Sequence, residues 1–208
     1  YEIHERLVGS EMCIRDSSYT AEPDNAVLFT AHTLYRIGSE GMELKNEVTN
    51  NSGLETIARV GQSFRLPAAF DTLTWYGKGP WETYADRKDA ALIGLYTSSV
   101  AEQHVPFAVP CECGGHEDTR FAALSDGTHT VQIVGSDDFH FSALPYSIAE
   151  YRKATYEEEL PEQTTGTWLI LDVAHAGLGG DTGWTKNIHP EYRVCKGRYS
   201  YTFRFHFA

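Results

Sequence analysis

Residues 199–207 read YSYTFRFHF. Tyr199, Tyr201, Phe203, Phe205 and Phe207 alternate with Ser200, Thr202, Arg204 and His206. Successive side chains of an extended strand point to opposite faces, so this run predicts a half-buried antiparallel strand with its aromatic face on a core. The same period of two recurs upstream. Val27, Phe29 and Ala31 alternate with Leu28, Thr30 and His32, and residues 42–48 repeat the pattern. Runs at 57–66, 73–76, 91–96, 119–124, 130–134, 139–144 and 167–173 are short and bounded by Gly, Pro, Asp or Asn. That punctuation is the mark of a β-sandwich. One segment differs: residues 147–150, Ser-Ile-Ala-Glu, spell a capping box, and the run to Leu160 is rich in Glu, Lys and Ala. It predicts one short helix near 147–160 lying across a sheet edge. With no linker and no internal repeat, the expected architecture is a single all-β domain.

The N-terminal end reads differently. Residues 7–17, LVGSEMCIRDS, fit the codons CTC GTG GGC TCG GAG ATG TGT ATA AGA GAC AGx. That resembles the transposase adapter ligated onto DNA for sequencing libraries, and such segments are set aside from fold reasoning. Residues 1–17 are therefore expected to be adapter-derived and disordered, with the genuine polypeptide cut at about Ser18 and the domain spanning 18–208. The alternative is a genuine polar tail.

Composition narrows the function classes. The chain has 208 residues, enough for one sizeable core. No apolar run reaches the length that crosses a bilayer and no signal peptide opens the chain, so no membrane partner is expected. The compartment stays open between bacterial cytoplasm and periplasm. The net charge is −12, and setting aside Glu11, Arg15 and Asp16 leaves −11. Such a surface repels phosphate backbones, which argues against nucleic acid. A neutral sugar is compatible with it, and twelve Tyr and four Trp supply rings that stack on sugar faces. Cys111 and Cys113 lie too close together for an easy disulfide. With His116 they suggest a metal corner, but no second Cys or His pair stands at the matching spacing. Reduced structural thiols and no metal are the expectation.

Three clusters could carry chemistry. Residues 75–91, WYGKGPWETYADRKDAA, surround a tight Gly-Gly-Pro loop with Trp75, Trp81 and Tyr84, and add Glu82, Asp86 and Arg87. They read either as a sugar-contacting loop or, the favoured reading, as a corner where rings pack and an acid pairs with Arg87. Residues 109–120, VPCECGGHEDTR, put Glu112 before a Gly-Gly turn and His116 after it, which reads either as an acid/base pair or as plain turn chemistry. Residues 171–187, LDVAHAGLGGDTGWTKN, end a strand at Asp172 and His175 and release the backbone through Gly177, Gly179, Gly180 and Gly183 to Trp184. A Trp on such a loop has little to bury it, which favours a docking role.

In this order the clusters resemble the C-terminal, small-chain domain of glycoside hydrolase family 2 β-galactosidases. The family pattern W-x-G-x-G-P-x-E-x-Y-x-D-R falls on residues 75–87 and P-x-E-x-G on 110–114. F-x-x-S falls on 139–142, G-T-W-L-x-x-D on 166–172 and G-x-G-G-D-x-x-W on 177–184. The resemblance implies an antiparallel super-sandwich, also seen in galactose mutarotases. It implies a C-terminal fragment of an enzyme that hydrolyses terminal β-D-galactosides such as lactose. Trp184 would help form the floor on which the disaccharide lands, with Asp181, Glu112 and His175 as further substrate contacts. The two glutamates that a retaining glycosidase holds about 5 Å apart belong to the family's catalytic barrel, as do its Mg and Na. This chain then has no catalytic residue, metal or cofactor of its own. Its partners would be a β-galactoside and a barrel, on the same polypeptide or on a large subunit, in a homo-oligomeric parent. Two departures stand out: Cys111 and Cys113 replace the usual Gln and Asn around Glu112, and Tyr156 replaces a His of the helix. The alternatives are a separate non-catalytic small subunit or carbohydrate-binding module, and an aldose 1-epimerase-like enzyme using Glu112 with His116 or Asp172 with His175.

Overall fold

The computed structural model describes residues 11–21, 26–162, 164–179 and 187–208. Ten antiparallel strands dominate it: β1 (Glu11–Ala21), β2 (Ala26–Gly38), β3 (Gly41–Asn50), β4 (Arg59–Leu66), β5 (Thr72–Gly79), β6 (Leu92–Ser99), β7 (Gly115–Ser125), β8 (Thr130–Leu144), β9 (Thr167–His175) and β10 (Gly197–Phe207). They pair in the order β1-β2-β3-β10-β8-β7-β5-β6, while β9 joins β8 to β4.

The aromatic alternation of the last strand is realised as expected. Tyr201, Phe203 and Phe205 are buried while Arg204 and His206 are exposed. Tyr199 and Thr202 are half-buried, and Phe207, at the strand's end, breaks the pattern with 55% exposure. β10 is central because its two neighbours, β3 and β8, take up both of its edges.

β8 organises the rest. The runs at 130–134 and 139–144 are one continuous strand that changes partner along its length. Residues 131–135 pair with β10 and residues 140–144 with β9. Opposite the change, β7 carries register shifts around Thr119, and Asp118 has a left-handed φ of 52°. Such bulges bend a strand and sharpen its twist. The bend turns β8–β9–β4 over β3–β10. Phe64 of β4 meets Phe205 of β10 edge-on at 5.0 Å although these strands share no hydrogen bonds. Between the layers lie Leu44, Leu73, Trp75, Ile133, Phe141, Leu169, Leu171 and Phe203, all wholly or almost wholly buried.

The expected helix exists but is shorter than its sequence run. α1 covers Ile148–Lys153, with Ser147 as N-cap and both hydrogen bonds of the capping box to Glu150 formed. Six residues form too little helix to persist alone. Burial of Tyr151 with Cys113, Leu144 and Leu160 holds it down. The chain turns extended at Ala154, and only a 3-10 turn at Glu157–Glu159 follows. Tyr156 therefore lies beyond the helix, exposed.

At the N-terminus, residues 11–17, expected to be disordered, form the outer half of β1. That strand pairs with β2 from Glu11↔Ile37 to Ala21↔Ala26. An unpaired edge of β2 is a template for any extended segment, which accounts for the pairing. The side chains from Met12 to Asp16 are exposed, so the strand adds backbone hydrogen bonds and little core. Among the described residues no helix is long and apolar enough to cross a membrane.

Candidate functional site

The second and third clusters meet around an arginine. Arg59 opens β4 and reaches Glu112 in the 110–114 loop and, at 3.5 Å, Asp172 on β9. Its Nη2 also donates to His175 Nε2 at 2.9 Å. The other ring nitrogen, Nδ1, donates to the Ala176 carbonyl at 2.7 Å, so both ring nitrogens have partners. His140, on the far half of β8, completes the group: its Nδ1 lies 3.2 Å from Asp172 Oδ2 and its ring stacks on His175 at 4.4 Å. Tyr84 packs against both imidazoles and accepts the Gly115 backbone N–H.

Burial sets the charges. Burial alone would raise the Glu112 carboxyl, but His175 and Arg59 outweigh it and hold it at about 2. Asp172 is wholly buried, and that desolvation pushes it up to about 7 against the pull of Arg59 and His175. Burial likewise drives His140 well below its ordinary value, with His175 and Arg59 adding to the effect. The cluster thus holds one firm ion pair, Arg59 with Glu112, beside a buried carboxyl that is easily neutralised.

His140, Asp172 and His175 each offer a ligand atom within 4.8 Å of one another, which is metal-like spacing. Arg59 occupies the cation's position, with one guanidinium nitrogen on His175 and another on Asp172. A divalent ion there would face a fixed positive charge, so this donor set does not suit one.

The residues expected to pair as acid and base do not all meet. His116 turns away from Glu112 into the core, stacking on Trp75 at 4.2 Å and donating to Gln103 Oε1 at 2.6 Å. Burial drops it to about 3. Cys113 is buried against Tyr151 while Cys111 is exposed, so no Cys-Cys-His corner forms. Asp172 and His175 do share the cluster, but Asp172 has no exposed surface through which to meet a sugar. Arg59 and His140 were not singled out from the sequence. The one signal for Arg59 was a lone charge between Ala58 and Val60 in an apolar run.

The first cluster divides in two. Trp75 and Tyr84 are core, Glu82 pairs with Arg87, and Glu82 also accepts the Gly114 N–H at 2.9 Å. That part matches the packed-corner reading. Trp81 instead stands out at 63% exposure. Asp86 secures the root of the glycine loop by accepting the Gly179 N–H at 2.6 Å. Gly179 takes a left-handed φ of 72° there, and a β-carbon at Gly177 would fall 2.6 Å from the Asp86 carboxyl carbon. Both positions need glycine. Asp181 and Trp184, further along the loop, lie outside the described residues.

Residues 3–205 match a family model described as the beta-galactosidase small chain. Among curated proteins, a beta-galactosidase of Priestia megaterium is 35% identical over 85% of this chain and 17% of its own length. One from Vibrio cholerae is 38% identical over 79% of this chain and 15% of its own length. The chain spans about one sixth of the length of these relatives. Among solved structures, a galactose mutarotase-like protein from Lactobacillus casei is 8% identical, with a TM-score of 0.49. It covers 100% of this chain and 73% of its own.

Proposed function

The chain belongs to the β-galactosidase small-chain family, and from that membership we propose that it serves as the non-catalytic wall of a galactosidase active site. The parent enzyme hydrolyses terminal β-D-galactosides such as lactose. Its acid/base and nucleophile reside in a barrel outside this chain, on the same polypeptide or on a large subunit, and the chain alone is inactive.

The observation that carries this reading is the state of the two carboxyls in the polar cluster. A retaining glycosidase needs a pair facing each other across a substrate-filled gap. Here Asp172 is sealed from solvent and Glu112 is locked on Arg59, so neither is free to attack or protonate a glycoside. An ionised carboxylate held near 2 is likewise a poor general base for anomeric epimerisation. The cluster instead braces the strand end from which the glycine loop leaves. That loop, tethered by Asp86, presents Trp184 and Asp181 to the sugar, with the indole stacking on its apolar C–H face.

Mixing tests it. The purified chain should show no hydrolysis of o-nitrophenyl β-galactoside, and activity should appear when it is combined with a family β-galactosidase truncated before its small-chain domain. Trp184→Ala in the restored enzyme should raise KM for lactose roughly tenfold with kcat less affected, the cost of one lost stack. Hydrolysis by the isolated chain would overturn the proposal, and an unchanged KM would remove the stacking role.

A further inference from the structure

Beside the tethered loop root lies a pocket of about 450 Å³, lined by Trp81, Glu82, Asp86, Arg87, Asp89 and Tyr192 among others. We propose that it is a second carbohydrate subsite, taking one neutral hexopyranose unit with Trp81 as its stacking face. The choice of sugar rests on the galactoside reading above; the choice of place rests on the pocket itself.

Three observations converge there. Trp81 is the most exposed large ring of its cluster, although Trp75 and Tyr84, six and three residues away, are buried. An indole beside polar side chains suits a sugar, whose C–H face is apolar and whose rim is wet. The charges of the lining point the same way. Arg87 is taken up by Glu82, and Lys88 by Asp118 at 2.7 Å, so the pocket's cations are already paired and offer an anion little. The carboxylates remain able to accept from hydroxyls, as sugar-binding acids do. Finally, Asp86 lines the pocket and also holds Gly179, which places this surface at the root of the loop bearing Trp184.

Saturation-transfer NMR with lactose on the 208-residue chain tests this directly. The expected result is transfer to lactose with wild type and with Trp184→Ala, and roughly tenfold weaker binding with Trp81→Ala, the size of one lost stack. Trp81→Phe should retain most of it. Trp81 is exposed, so circular dichroism should show the Ala variant folded. Equal binding by wild type and Trp81→Ala would overturn the subsite, as would no transfer to wild type. The two proposals fail separately. Lactose binding lost in Trp184→Ala but kept in Trp81→Ala sinks the subsite and leaves the loop reading intact. Binding that depends on Trp81 in a chain that never restores a truncated galactosidase upholds the subsite and sinks the galactosidase role.

Discussion

Asp86, in the loop after β5, accepts the backbone N–H of Gly179 across 93 residues of sequence. This bond joins the aromatic corner to the glycine loop. Asp86→Ala should free the loop root while leaving the strands intact. In the restored enzyme the expected outcome is a several-fold higher KM for lactose with little change in kcat, measured by steady-state kinetics. Asp86→Asn, which keeps an acceptor, should recover most of it. A KM unchanged in Asp86→Ala would show that the loop is held elsewhere.

Arg59 serves Glu112, Asp172 and His175 at once. Removing one partner of a buried pair strands the others, at a cost of about 3–5 kcal/mol. Arg59→Met should lose stability on that scale in urea denaturation at pH 7.5. A loss below about 1 kcal/mol would mean that water solvates the cluster well enough to replace it.

Asp172 and Glu112 give opposite pH dependences. Asp172 ionises at about 7 when folded against a reference of 3.8, so the folded state binds more protons between those values and stability falls as pH rises through that window. Glu112 ionises at about 2 against 4.5, so its contribution is complete above 4.5 and is lost as pH falls toward 2. Asp172→Asn should remove the decline between pH 3.8 and about 7, gaining on wild type across that window while keeping the acid limb set by Glu112. Denaturation midpoints that run parallel over this range would refute the assignment.

β1 is an added edge with exposed side chains between Met12 and Asp16. Removing residues 1–17 should change stability by less than about 1 kcal/mol, about 2–4 °C in Tm for a chain of this size. It also bares the outer part of the β2 edge, so greater self-association is expected in sedimentation velocity. A large fall in Tm would mark the segment as integral to the fold.

The strands were legible because alternation of apolar and polar side chains is a local property, and β10 shows it across nine residues. The bend in β8 was not, since residues 135–138 contain the Gly, Ser and Asp that usually end a strand. Pairing with β7 on both sides of the bend, and with β10 and β9 on one half each, keeps it continuous. Likewise the helix signal at Ser147 and Glu150 was local and correct, whereas its stop at Lys153 depends on what Tyr151 packs against. The polar cluster was half visible. Glu112 and His175 stood in recognisable motifs, but their common partner Arg59 lies in an apolar run with no pattern around it. His116, four residues after Glu112, is carried away from it into the core by the strand that begins at Gly115.

β8 has one further consequence. Because a single backbone passes from the β10 side to the β9 side, neither layer can be peeled away without cutting ladder bonds on the other. The domain therefore has no seam. His140 and Gly135, with its partner Phe203, lie on the same strand, so the two layers are tied through one backbone. A distortion that reaches β8 from one layer is therefore passed to the ladder of the other.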